Sequence, residues 1–586
     1  MPAMTGDAAG EGGETAPAPG AGSLSARARS APSATRPRLP APRPRRPAPN
    51  RGRPAGAVGS WLGATLLFLF LALAVPVAVM GQNFAPMGRV STLMAVALTW
   101  YASLRLAGHY HSGRPQLVQI TFWAFVYLFL GLASFAQLTA DEFPIPNQFF
   151  DESTRAQALA GVLLGCLAFD AGRILALSVR RHRVRERLEY RVMDARRVWV
   201  LGIAGIVATL GVVMTNGGLG TRFQSRQAAE EALFGKPPWG VRIDQLDDKT
   251  LGLIKTSLTW LPVFLGLVLL LYLRQIATNR YGPERQVRWV RNPPATVLLW
   301  GLILVNIVAN NPIANPRIRF GGVAFAVALV MVHVERPRRL RAFLVALLLL
   351  ILVVFPYADL FRYDVQQTIK VATLRDQLVE SPDYAMFQQE MNGIVYVREN
   401  GFTMGRQTLG AVLPFVPKSI WANQPEATGD MISRTDGINA SSTLWTEANV
   451  EAGWPAIFVV FLGYGFLAML ADESYERWSR RRPSIIGIAV PLFAAFQFFV
   501  LRGALLPVVG DLAPIVLIVA LCSRRARRVV PGAGGAQAEG SAMTTGDGGP
   551  GGSNGNGHRG GTRRQPVAAG TSSSSPGPSA AANARP

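Results

Sequence analysis

Twelve apolar stretches of membrane length divide this chain of 586 residues, and they limit its fold more than any other feature. About 20 apolar residues in a helix cross the hydrocarbon of a bilayer, and a helix satisfies its own backbone hydrogen bonds there. The stretches lie at roughly 59–80, 90–107, 117–138, 156–179, 198–215, 253–273, 295–311, 320–334, 342–356, 454–471, 484–501 and 505–522. The shortest is 320–334. An all-α polytopic membrane protein with about 12 transmembrane helices is expected. The first stretch follows nearly 60 polar residues, too many for a signal peptide, so it counts as a helix.

The polar segments set the orientation. Net charge is +23, which in a soluble chain would suggest nucleic acid. Here the arginines cluster in every second connection: 180–197, 274–291, 335–341, 476–482 and 523–528. The alternate connections are poorer in Arg or richer in acids, as in TADEFPIPNQFFDESTR (139–155). That is the positive-inside pattern, so no nucleic-acid partner is expected and the bilayer is the partner. It places both termini in the cytoplasm and the 357–453 loop outside. The expected organisation is an Arg/Pro-rich tail (1–57), a membrane domain (58–356), a large extracytoplasmic loop between helices 9 and 10 (357–453), a second membrane part (454–528) and a Gly/Ser-rich tail (529–586). Both tails lack the composition for a core and are expected to be disordered. Cys166 and Cys522 both fall in apolar stretches, with no disulfide or zinc spacing. Abundant Ala, and Arg in large excess over Lys, suggest a GC-rich bacterial genome.

A loop as long as 357–453, rich in aromatics, charges and Pro/Gly, is expected to fold and to carry function. Other outer loops bring arginines to the same face. Arg222 and Arg226 sit four apart, on one face if helical. Arg317 and Arg319 follow two Asn-Pro pairs in NNPIANPRIRFGG, which should stop a helix at the membrane edge. Arg362, Arg406 and Arg502 complete the set. Each one alone could snorkel to the interface. Gathered, they suit a pyrophosphate, because a guanidinium binds phosphate through two donors. Asp511 lies inside the last apolar stretch. It is either functional or a structural partner of Arg502 or a backbone amide.

At the long loop the sequence resembles the bacterial O-antigen polymerases, the Wzy-type oligosaccharide repeat unit polymerases. Pro417-Lys418-Ser419-Ile420-Trp421 with Gln424-Pro425 resembles the family's Pro-Arg-x-x-Trp-Pro-x-Lys-Pro segment. Asp383-Tyr384 with Phe387, and Gly401, Gly405 and Gly410, resemble its approach. Ser441-Ser442, Glu447-Ala448-Asn449 and Gly453 resemble its exit into the next helix. Lys418 and Gln424 stand where the family usually has Arg and Lys. The Arg-x10-Gly pattern of some members is absent.

The resemblance implies a GT-C-like glycosyltransferase of the bacterial cytoplasmic membrane. It would polymerise undecaprenyl-pyrophosphate-linked repeat units, as donor and acceptor, at the outer face, beside a flippase and a chain-length regulator. Such a reaction must stabilise a leaving pyrophosphate and can use a base for the acceptor hydroxyl. The outer loops hold no histidine: His109 and His111 fall in an inner turn, His182 in a basic inner loop, His333 at an inner helix end and His558 in the tail. A base would therefore be a carboxylate, with Glu447 the first choice and Asp383 the second. Either could equally cap a helix or pair with Arg. Lys418 joins the arginines as a substrate-binding candidate. Trp421 either stacks on a sugar or anchors at the interface. No metal and no cofactor are expected. The competing readings are an O-antigen ligase, which would use an outer-loop histidine; a metal-dependent GT-C enzyme, which would carry acids in the first outer loop; and a transporter, which would place ionisable groups at mid-membrane, often with internal repeats.

Overall fold

The structure, a computed structural model, describes residues 57–80, 85–146, 148–179, 191–224, 232–233, 249–278, 290–313, 315, 317–354, 373–413, 416, 421–433, 441–478 and 484–525. Each of the twelve apolar stretches is helical over most of its described residues. Seven helices are long and apolar enough to cross a membrane. In chain order the helices are α1 (Gly59–Met80), α2 (Val90–Ser112), α3 (Leu117–Ala140), α4 (Glu152–Ser178), α5 (Ala195–Thr215), α6 (Lys249–Thr278), α7 (Pro293–Ala309), α8 (Arg317–Met331) and α9 (Pro337–Leu349). Four short helices follow: α10 (Leu374–Glu380), α11 (Met386–Asn400), α12 (Arg406–Val412) and α13 (Thr428–Ser433). Then come α14 (Leu444–Trp478), α15 (Ile486–Arg502) and α16 (Leu505–Leu521). The long ones are α1 to α6 and α14. The two tails, 1–56 and 526–586, lie outside the described residues.

Helix α3 is the axis, and its apolar span is buried throughout. It reads as continuous hydrophobic sequence because every face meets another helix. Its polar side chains bond inward: Thr121, Ser134 and Thr139 donate to carbonyls one turn back. Helices α4 and α14 press together beside it through glycine. A Cβ on Gly172 would strike the carbonyl of Leu462, and one on Gly465 the carbonyl of Phe169. Small residues let membrane helices approach this closely. Trp445 then stacks on Phe461 with ring centres 4.0 Å apart and donates its indole N–H to the Val162 carbonyl (3.2 Å).

One end of the bundle gathers several of the Arg-rich connections. Strands β1 (Arg191–Met193) and β2 (Ser523–Arg525) pair antiparallel, and Val192 also bridges to Ser484. Arg197 donates to the carbonyls of Leu521 and Ser523, both at 2.8 Å. At α3's start, Asp472 accepts the free N–H groups of Val118 (3.0 Å) and Gln119 (3.2 Å), as a helix N-terminus requires. His109 and His111 belong to the last turn of α2 rather than to a turn. His109 is buried against Gln116 (3.0 Å).

The opposite end carries the long connection, whose described residues include four short helices. Its backbone polar groups need partners, and two glutamines supply them. Gln137, at the end of α3, donates to the carbonyls of Leu378 and Tyr384, both at 2.9 Å. Gln388 on α11 accepts the N–H of Ile145 (2.8 Å) and donates to its carbonyl (2.7 Å). The boundary expected at 453 is a kink inside one helix. α14 begins at Leu444 and breaks at Ala452 and Gly453, where Gly453 has φ 69°. Pro455 follows, and proline disfavours helix in the residue before it. Only glycine takes that φ readily.

Candidate functional site

Two carboxylates sit buried where α11, α13, α14 and α16 converge. Thr443 precedes α14, and its hydroxyl accepts the N–H of Thr446 (3.1 Å), capping the helix. The same hydroxyl donates to Glu390 of α11. Its neighbour Ser442 donates to Glu447 (2.7 Å), Thr428 donates to the other oxygen (2.6 Å), and the Leu505 N–H reaches Glu447 at 3.1 Å. Consecutive hydroxyls thus serve two acids from different helices. Glu390 is 4% exposed and Glu447 2%. Neither meets a cation among the described residues. Isolated buried charge is costly, and neutralisation is the usual remedy. Burial pushes Glu390 up to about 7. The Thr443 and Thr446 contacts oppose the shift, and nearby Glu447 adds to it.

Asp383 has a different environment. Arg502, the last residue of α15, pairs with it, and both side chains are mostly buried. A paired carboxylate is a weaker base than an unpaired one, and of the two carboxylates expected from the sequence Glu447 is the one without a cation partner among the described residues. Glu447 accepts three hydrogen bonds out of about four lone-pair positions. It also lines a groove of about 460 Å³ between α12, α14 and Leu505.

The arginines divide into groups. Arg222 closes a short turn after α5 and is 3% exposed. The Asn-Pro segment that ends α7 holds it: Asn311 donates to the Arg222 carbonyl (3.0 Å), and Asn315 donates to the carbonyls of Ala309 (2.8 Å) and Asn311 (3.1 Å). The guanidinium Nε and Nη2 of Arg222 are buried with no hydrogen-bond partner among the described residues. Burial, and after it the charge of Arg319, lower its proton affinity. Arg319 lies 5.0 Å from the Trp260 ring centre and 3.8 Å from Asp511. Asp511 therefore pairs with Arg319, not Arg502. Arg406 stands apart, donating to the Asn423 carbonyl (3.1 Å). Trp421 is half-buried in a turn closed by its carbonyl and the Gln424 N–H (3.1 Å). Arg226, Arg362, Lys418 and the side chain of Arg317 lie outside the described residues.

One short segment links the groups. Between Arg502 and Asp511 the chain pairs with Asp383, donates to Glu447 and forms an ion pair with Arg319. Sequence reasoning missed Glu390. Its only signal is a polar run, Gln388-Gln389-Glu390, between Phe387 and Met391, all buried. Among the described residues no three of His, Cys, Asp and Glu gather as a metal site would need. Comparisons with protein-family models, curated proteins and solved structures found no match.

Proposed function

We propose that this chain is a bacterial cytoplasmic-membrane glycosyltransferase with about twelve spans and both termini inside. In this reading it is a GT-C-like polymerase of undecaprenyl-pyrophosphate-linked oligosaccharide repeat units. The observation that carries the proposal is the Arg222 guanidinium, buried beside Arg319 with two donors unused. A buried cation next to another cation calls for an anion, and a diphosphate suits the planar fork. The acceptor sugar hydroxyl attacks the anomeric carbon of the donor chain. The bond from that carbon to the pyrophosphate oxygen breaks, and Arg222 and Arg319 stabilise the leaving group. Glu447 takes the hydroxyl proton. No metal is assigned a step.

The test is an arginine series. A lost charge-assisted hydrogen bond costs roughly 1.5–3 kcal/mol, so Arg222→Lys should lower polymer formation by about 10- to 150-fold where the bond acts fully in the transition state. Arg222→Ala should cost more. Protein levels should hold, and Arg180→Ala serves as a control. Normal polymer from Arg222→Ala would remove the anion site from the mechanism. Deleting the gene should leave single repeat units on lipid; accumulation of lipid-linked polymer would favour the ligase. Activity in membranes should survive EDTA, and loss restored by Mg²⁺ or Mn²⁺ would favour the metal-dependent alternative.

A further inference from the structure

The groove beside Glu447 has an outer wall that belongs to the long connection, read from the sequence as a folded extracytoplasmic loop. That wall is α12 and its lead-in. Glu451 fastens it to the kink of α14: its carboxylate accepts the N–H groups of Gly405 and Thr408 and the Thr403 hydroxyl (2.8 Å). The N–H groups of Thr403 and Met404 reach the carbonyls of Val450 (3.0 Å) and Glu451 (3.1 Å). Phe402 lies over Gly453. Anchored in this way, α12 turns Gln407, Gly410 and Ala411 inward and leaves Leu409 and Val412 outside.

The outward side is apolar. Met404 is 76% exposed, Val412 61% and Leu409 51%, with Phe402 and Leu413 also exposed. Met404 has φ 51°, a left-handed conformation that an L-residue adopts only at a cost. The fold thus accepts strain where a thioether points outward. Soluble surfaces rarely show apolar patches of this kind. The patch is also continuous with a membrane helix: Leu409 and Val412 line one groove with Ala456, Val459 and Val460 of α14. Val459 is 65% exposed on an apolar span, and Trp454 is exposed at the kink, where interfacial Trp is favoured.

We propose that the 402–413 segment is immersed in the bilayer and that an acyl chain of a bilayer lipid fills the groove up to Glu447. The occupant is the membrane itself. The groove is then a lateral port from the hydrocarbon to Glu447. The proposal stands without the glycosyl-transfer reading, since its test requires no turnover.

Single cysteines at Leu409, Val412 and Ala456 would carry nitroxide labels in phosphatidylcholine nanodiscs. Cys166 and Cys522 are buried and give little background. All three labels should collide with dissolved oxygen more than with a water-soluble nickel chelate, as should a reference label at Val459 on the apolar span. A label at exposed Asn400 should show the reverse. Nickel access at Leu409 and Val412 means that the wall faces water and overturns the proposal. Exclusion of both probes there means that a second copy or another segment of the chain covers it, which also overturns it. Oxygen access at Val412 with none at Ala456 means a closed groove and removes the lipid port. Size-exclusion profiles identify any variant that fails to fold. Val412→Asp, which places a charge on the outer wall without touching the groove floor, should halve or further reduce lipid retained on purification, whereas Val412→Leu should not.

Discussion

Glu390 and Glu447 show how one buried residue changes its meaning when another lies behind it. Glu390 is held near 7, against an ordinary value of 4.5, mainly by burial. The folded protein therefore keeps a proton there that the unfolded chain has released. Its contribution to stability is intact below about 4.5, declines as pH rises, and is fully lost above about 7. A shift of this size corresponds to about 3 kcal/mol as an order of magnitude. Glu390→Gln preserves the shape and the acceptor oxygen while removing the ionisation. Its melting temperature should vary less than the parent's between pH 5 and 8, with the variant relatively more stable at the alkaline end. A parent-like pH slope in the variant would show that another group titrates. In the sequence, Glu447 could be singled out because the expected outer loops hold no histidine, which left a carboxylate as base, and because the stretch around it resembles a known loop exit. Glu390 could not, because the group that most concerns it, Thr443, is 53 residues away and nothing local marks the contact.

At the scale of elements, apolar length made the helices legible and close contact made their ends illegible. The twelve stretches were readable because hydrocarbon demands that length and hydrophobicity. The 453 boundary was readable only as a break, since Gly453 and Trp454-Pro455 signal an interruption but not that helix resumes on both sides. The inner turn at His109 was misplaced for a similar reason: polar residues in a final turn resemble a loop when their buried partners are unknown. Of the many glycines, the sequence could not say which ones bring helices together. Gly463 and Gly465 sit two residues apart on α14, yet a Cβ on Gly463 meets nothing within 4 Å and one on Gly465 meets the Phe169 carbonyl. Overpacking costs typically 1–3 kcal/mol, and alanine gains helix propensity at both sites. Gly465→Ala should lower the melting temperature in detergent, whereas Gly463→Ala should leave it unchanged or raise it. Equal melting temperatures for the two variants would show that α4 and α14 do not depend on that close approach.

For the whole molecule, the alternation of Arg-rich and Arg-poor connections has a structural counterpart in how the two ends are stitched. Segments 191–193, 484 and 523–525 join at one end. Loops from 141–150, 373–400 and 502–505 join at the other, through Gln388, Gln137, Asp383 and Glu447. The expectation of seven outer arginines in one constellation was coarser than the molecule. It used only the side of the membrane each residue was expected to occupy, while depth and partner decide which guanidinium stays unused. Arg502 and Arg319 found carboxylates; Arg222 did not. Orientation itself rests on the positive-inside bias, which insertion enforces. A cysteine at Asn400, exposed on the last turn of α11, should react with a membrane-impermeant maleimide in intact cells. A cysteine at Ser178, exposed at the far end of α4, should react only after the cells are permeabilised. Labelling of Ser178→Cys in intact cells with protection of Asn400→Cys would invert the molecule, and the carboxylate groove and the Arg222 site would then face the cytoplasm, where an outer-face polymerase could not use them.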